Sequence, residues 1–253
     1  MSRTVLITGG TSGIGRAFVD TFARSGDEVW FTFFQGSERP EDVVAAYPNV
    51  RIKFFPLNLG EYESVSSLVK SLPSIPDVLI HNAGLGSKTV EKVATEPHLR
   101  DQALIQVNSI GTLWLNNLIA PEMVKRGSGK IILISSVGGG ITQVPGFHHA
   151  DGMSKAAIAF LGRILAADLA KTGVDVFTIC PGATDTPMFN ASTLNHLSES
   201  EKSGVIAALP KGRLIEPKEI AELGYFLASN AGRILHGAVI DASMGLEIGR
   251  AHV

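Results

Sequence analysis

Two stretches of the sequence carry residue types able to do chemistry. The first is "TVLITGGTSGIG" (4–15), where Gly9, Gly13 and Gly15 follow an apolar run and open a helical one. Gly9 permits a tight turn, Gly13 lets a phosphate approach the backbone, and Gly15 lets helix pack on strand. The unpaired N–H groups of the helix start then suit a pyrophosphate. A glycine triplet alone is weak; the strand before it and the helix after it give it meaning. The groups offered to such a ligand are Gly9, Thr11, Ser12, Gly13, Ile14 and Gly15. The second stretch is "HHADGMSKAAI" (148–158). On a helix, Asp151 and Lys155 share one face and can pair. A carboxylate beside Lys⁺ has its pKa lowered by roughly 1–3 units, so Asp151 is expected to be ionised at neutral pH. His148 and His149, in the loop expected just upstream, titrate near neutrality and can act as a general acid. Asp151 beside Gly152 also suits a helix start, as cap and dipole partner.

The elements that must position these groups alternate along the chain. Strands are expected at 4–8, 28–34, 51–57, 77–83, 130–136, 175–181 and 238–243, and helices at 14–25, 61–71, 99–126, 154–172 and 217–229. Continuous apolar strands separated by helices imply an α/β fold, a Rossmann-type doubly wound parallel sheet with helices on both faces. The stretch 187–212 is polar, bounded by Pro187 and Pro210, and is expected to act as a substrate lid, or else to be a plain surface excursion.

With 253 residues and 45% hydrophobic content, the chain suits one domain, 1–253, better than two. A net charge of −2 gives no reason to expect nucleic acid or an anionic membrane as partner. Cys180 is the single cysteine, which excludes a disulfide framework and a clustered zinc-type metal site, and it reads as a buried small apolar residue. No apolar run reaches the roughly 18 residues needed to span a bilayer, and no signal peptide is recognisable, so a cytoplasmic setting is expected.

The Thr-Gly-x-x-x-Gly-Ile-Gly spacing, followed by "HNAG" (81–84), "VNSIG" (107–111), "IILISSVGG" (131–139), "SKAAI" (154–158), "PGATDTPM" (181–188) and "GRLIEPKEIAELGYFLAS" (212–229), resembles the short-chain dehydrogenase/reductase family over almost the whole chain. The resemblance implies NAD(P)(H)-dependent oxidoreduction of a carbonyl or alcohol. It assigns substrate binding to Ser136, with Ser135 the less favoured serine. Lys155 takes the role at the nicotinamide ribose and Asn108 holds a relay water. It further implies cofactor contacts from Asn58, Leu59, Asn82, Ala83, Gly84, Pro181, Gly182, Thr184 and Thr186, although Thr184 and Thr186 also suit ordinary turn capping. Where the family has its proton-transferring tyrosine, this sequence has Asp151. That side chain is shorter by about 3 Å, so the ordinary ketoreductase mechanism is not expected to survive unchanged. Asp151, His148, His149 or a relayed water must then move the proton, with Phe147 as pocket wall.

About 20 residues beyond the glycines, an acid favours NAD and an Arg accommodates the 2′-phosphate of NADP. The region reads Phe33, Phe34, Gln35, Gly36, Ser37, with neither signal. Ser12, Arg16, Ser37 or Arg39 can meet a phosphate, so NADP(H) is preferred over NAD(H); alternatively Phe33 and Phe34 are core and rim aromatics of a degraded adenosine pocket. Competing with the redox reading are a non-redox enzyme on the same scaffold (cyclase, dehydratase, isomerase or hydrolase) and a catalytically silent cofactor-binding protein. Family members associate, and the helix at 154–172 is apolar on more than one face, so a homo-oligomer, dimer or tetramer, is expected.

Overall fold

Alternation of side chains along each strand divides the apolar residues of the sequence between two layers. Val5, Ile7, Val29, Phe31, Ile80 and Ile132 enter one core with Phe18, Phe22 and Ile220. Leu6, Trp30, Leu79, Ile131 and Leu133 enter the other with Leu115, Ile119 and Ile158. In the computed structural model, which describes residues 2–34, 38–140 and 148–247, these strands form one parallel sheet. They are β1 (Thr4–Ile7), β2 (Glu28–Phe33), β3 (Ile52–Pro56), β4 (Val78–His81), β5 (Gly129–Ile134), β6 (Val174–Pro181) and β7 (Val239–Ala242). Their order is β3-β2-β1-β4-β5-β6-β7, with partners in register such as Leu6 with Trp30 and Leu79 with Ile131. The direction of winding reverses between β1 and β4. A crevice opens there beyond the carboxyl ends of the strands, and the turns after β1 and β4 border it.

The helices are α1 (Gly13–Arg24), α2 (Pro40–Ala45), α3 (Tyr62–Ser71), α4 (Pro97–Ile105), α5 (Thr112–Arg126), α6 (His149–Leu169), α7 (Pro187–Phe189), α8 (Glu199–Ala207) and α9 (Pro217–Leu227). Two expected helices change shape. The run 99–126 is interrupted by a π turn at Gln106–Gly111. Gly111 passes so close to Leu59 that an added methyl would lie 2.2 Å from its carbonyl oxygen, and Asn108 is tied to Leu85 on both its amide atoms. Such an insertion re-aims a helix at a point of close approach. The helix expected from 154 begins instead at His149, with His148 at its N-cap. His149 is therefore a helix residue, while His148 stands extended just before the helix, and Gly152 lies inside it. The stretch 187–212 folds into α7, a π turn, α8 and a final 3₁₀ turn.

One core position is chemically unusual. His81 ends β4, is buried, and its Nε2 has no hydrogen-bond partner among the described residues. Burial holds this imidazole neutral and pushes its pKa down to about 3. A group depressed on folding contributes stability above its unfolded pKa and loses it as pH falls toward the folded one. Between pH 6.5 and about 3, His81 should therefore cost stability on acidification, with a slope approaching about 1.4 kcal/mol per pH unit. Urea denaturation of wild type and His81→Asn across this range checks it: the difference between them should grow in favour of the variant as pH falls, and a pH-independent difference contradicts it.

Candidate active site

The turn after β1 is built by close backbone contacts. Gly13 has φ +53, in the left-handed region that favours glycine. A methyl on Gly15 would lie 2.0 Å from the Gly9 carbonyl oxygen. Asn82, after β4, braces the turn: its Nδ2 donates to the Thr8 and Gly9 carbonyl oxygens at 3.0 and 3.3 Å. The backbone N–H groups of Asn82 and Ala83 both donate to Thr8 Oγ1 at 2.9 Å. Ser12 stands at the N-cap of α1 without a side-chain capping bond, so the N–H groups of the first turn remain available to an anion. Across from them, a methyl on Gly13 would lie 3.1 Å from Thr186 Cγ2.

An open cleft of about 560 Å³ runs along this turn, between Thr11, Ser12 and Gly13 on one side and Asp185 and Pro187 on the other. Phe33 and Phe34 do not close it; Phe33 packs edge-on against Phe54 with ring centroids 5.7 Å apart, and Phe34 is exposed. Arg16, on the cleft wall, is not free to meet a phosphate: it pairs with Asp20 at 2.9 Å and with Glu38. Arg39 is exposed at the N-cap of α2. Ser37 and Phe147 lie outside the described residues.

The second half of the site is held by α6. Asp151 is 3% exposed, and its Oδ2 accepts a hydrogen bond from Ser87 Oγ at 2.8 Å. Ser87 Oγ in turn accepts from the His148 backbone N–H at 3.1 Å. One turn on, Lys155 Nζ approaches the segment after β4. A methyl on Gly84 would lie 3.5 Å from it and 2.9 Å from Asn108 Oδ1, so Gly84, Asn108 and Lys155 converge. Ser135 Oγ donates to the Lys155 carbonyl at 2.7 Å, the structural bond expected of a strand-end serine. Ser136, the next residue, is half-buried and makes no side-chain hydrogen bond among the described residues, which leaves its hydroxyl available.

The electrostatics correct one expectation. Lys155 and Asp151 form no ion pair within 4.0 Å among the described residues. Burial pushes the Asp151 carboxyl up, outweighing the pull of Lys155 and the Ser87 bonds in the opposite direction. Burial likewise pushes the Lys155 ammonium down, against the opposing pull of Asp151 and Cys180. Lys155 thus does not hold the Asp151 carboxyl below the usual carboxylate range. His148 does not point its ring at a carboxylate partner at hydrogen-bond distance: Nδ1 is buried, unpartnered among the described residues and 3.5 Å from Asp101 Oδ1 on α4. His149 is exposed. Cys180 is buried and its thiol is pushed up by burial, which suits a packing residue.

The remaining residues expected to contact a cofactor spend much of their hydrogen bonding internally. Asn58 Oδ1 accepts from the Gly60 N–H at 2.9 Å beside buried Leu59. Thr184 Oγ1 donates to the Gly182 carbonyl at 3.0 Å, and Thr186 Oγ1 accepts from the Phe189 N–H at 3.1 Å as the cap of α7. Pro181 closes β6, and Gly182 packs so tightly that a methyl would meet Ser243 Cα at 2.8 Å.

With this geometry in view, comparison with known proteins is decisive. The short chain dehydrogenase family model matches residues 3–196. The chain belongs to the short-chain dehydrogenase family. It is 32% identical to the oxidoreductase UcpA of Salmonella typhimurium, over 96% of this chain and 95% of that one. It is 28% identical to the 3-oxoacyl-[acyl-carrier-protein] reductase FabG of Escherichia coli, over 96% and 97%. Among solved structures, an F189W actinorhodin polyketide ketoreductase crystallised with NADPH superposes with a TM-score of 0.86, at 25% identity and 97% coverage of both chains.

Within this short-chain dehydrogenase frame, four side chains escaped sequence reasoning. Thr8 and Ser154 are buried braces; Ser154 Oγ accepts from Asn108 Nδ2 at 2.9 Å and donates to the Asp151 carbonyl at 2.7 Å. Ser87 carries no local signal, because its partner is remote in sequence. Glu38 had one: it lies 23 residues after Gly15, within reach of the acid position about 20 residues beyond such a turn.

The raised carboxyl of Asp151 makes a stability prediction. A carboxyl raised on folding contributes stability below its unfolded pKa and loses it as pH rises through the folded one. Asp151→Asn should therefore stabilise the protein at pH 7, and the gain should fade as pH falls toward 4. Thermal midpoints of both proteins from pH 4 to 8 measure this; a gain that grows on acidification contradicts it.

Proposed function

We propose that this protein is an NAD(P)(H)-dependent oxidoreductase acting on a carbonyl or alcohol, with Asp151 in the place and role of the family's tyrosine. The observation that carries this reading is Asp151 buried on the same face of α6 as Lys155, with Lys155 Nζ beside Gly84 at the crevice. The residues present fit a dinucleotide: the uncapped start of α1 and the left-handed Gly13 form an anion cradle, and the cleft runs along it. Gly9, Thr11, Ser12, Ile14 and Gly15 hold the pyrophosphate end, Asn58, Leu59, Asn82 and Ala83 the adenosine side, and Gly84, Lys155, Pro181, Gly182, Thr184 and Thr186 the nicotinamide end. When bound, the nicotinamide supplies or accepts a hydride. Ser136 holds the substrate oxygen with its free hydroxyl. Asp151, its carboxyl pushed up by burial, gives that oxygen a proton through a water that bridges the short side chain. Ser87 orients the carboxyl by donating to Oδ2. Asn108 fixes the loop after β4 through Leu85, and His148 caps α6.

The whole of 1–253 acts as one dinucleotide-binding domain, with 187–212 folding over the substrate. The two cofactors share every contact named here, the choice between them being made at the adenosine end. NADPH in the related polyketide ketoreductase is consistent with either for this chain. The test is a stopped-flow assay of NADH and NADPH oxidation with a panel of ketones. Asp151→Asn and Ser136→Ala should each lower hydride transfer by about 10²–10⁴-fold, and Asp151→Glu should restore part of it. Turnover of a substrate with no nicotinamide present overturns the reading.

The same helix supports a homo-oligomer. Met153, Phe160 and Ile164 of α6 are 64, 67 and 43% exposed, an apolar stripe that a second copy would cover. Light scattering should give a dimer or tetramer mass, and Phe160→Glu should shift it toward the monomer; a monomer mass for the wild type contradicts this.

A further inference from the structure

A lysine taken out of water ordinarily keeps its charge by pairing with an acid. Lys130, largely covered, pairs with Asp175 at 2.5 Å. Lys155 does not follow this pattern. Its side chain is half-buried, and among the described residues no carboxylate lies within 4.0 Å of Nζ and no hydrogen bond holds it. The nitrogen sits instead against Gly84, where an added methyl would lie 3.5 Å away, so the missing side chain leaves it room. Burial lowers the basicity of Lys155, with Asp151 and Cys180 the charged or titratable groups opposing it. A less basic amine carries its lone pair at lower pH, and a desolvated lysine of this kind is a nucleophile toward carbonyl carbon.

Asp151, one turn back on the same face of α6, can serve that chemistry as the acid. The amine lone pair attacks an aldehyde carbon and a C–N bond forms. The carbonyl π pair moves to oxygen, which takes the proton shed by nitrogen. Asp151 then protonates the hydroxyl of this carbinolamine, which leaves as water while the nitrogen lone pair closes a C=N bond. Amine, aldehyde and carboxylic acid thus become a protonated Schiff base, a carboxylate and water. No oxidant or reductant takes part, and the new cation faces the new anion.

We propose that Lys155 is a covalent capture site for aldehydes, forming a Schiff base with them when no dinucleotide occupies the crevice. The exclusion by dinucleotide rests on the reading above, in which Lys155 serves the nicotinamide end; the capture itself does not. The test treats the wild-type protein at about pH 6.5 with butanal or formaldehyde and sodium cyanoborohydride, which reduces a Schiff base to a stable amine. Peptide mass mapping then gives the rate of labelling at each lysine. Lys155 should be labelled severalfold faster than Lys125, which is exposed and paired with Glu122. NAD⁺ or NADP⁺ at ten times its Kd should slow labelling at Lys155 by about tenfold and leave Lys125 unchanged. Labelling of Lys155 no faster than Lys125 with both aldehydes overturns the inference. Fast labelling that neither dinucleotide slows leaves the capture site standing and overturns the dinucleotide reading.

Discussion

Burial of the Asp151 carboxyl at the start of α6 is the constraint on which the proposed chemistry depends. A carboxylate and an ammonium four residues apart would ordinarily stabilise each other as ions. Here desolvation outweighs that attraction, so Asp151 is pushed up and Lys155 down. Packing against the inward face of α6 produces this result. Gly140 brings its loop so close to α6 that a methyl would lie 2.5 Å from the Ala156 backbone nitrogen. Ser135 holds the Lys155 carbonyl, and Ser154 links the Asp151 carbonyl to Asn108. A looser helix would admit water and restore the ordinary values.

The sheet supplies the rest of the placement. With the winding reversed between β1 and β4, the turn carrying Gly13 and the segment carrying Gly84 must meet at one crevice. Asn82 and Thr8 lock the two together, and the absence of a side chain at Gly15 allows α1 to start in contact with the turn. The family relationship and this sheet order agree on the architecture. The departure we propose, Asp151 in the tyrosine's place, is local to α6, on a scaffold that keeps the family's architecture.

Much of this was legible in the sequence for identifiable physical reasons. Strands buried on both faces read as unbroken apolar runs, so β1, β4 and β5 fell within two residues of their expected limits. The glycine turn was legible because its spacing has meaning only between a strand and a helix. What could not be read depended on tertiary contacts. The π turn at Gln106–Gly111 arises from the approach of Leu59 and Leu85, remote in sequence. The sign of the Asp151 shift was misjudged because local spacing reveals the lysine but not the burial. The partners of Arg16 were missed because the acid lies beyond the end of β2, not within it. His149 was read as a loop residue, yet the helix already starts there, and His148 just before it lies with Nδ1 3.5 Å from Asp101 of α4.

The central claim is that burial, not ion pairing, governs the proton on Asp151. Carbon-13 NMR of protein labelled at aspartate carboxyls, with the Asp151 signal assigned by its loss in Asp151→Asn, follows that proton directly. The account predicts a titration midpoint above the ordinary value of 3.8, rising further in Lys155→Met as the lysine's opposing pull is removed. A midpoint at or below 3.8 in the wild type would contradict it.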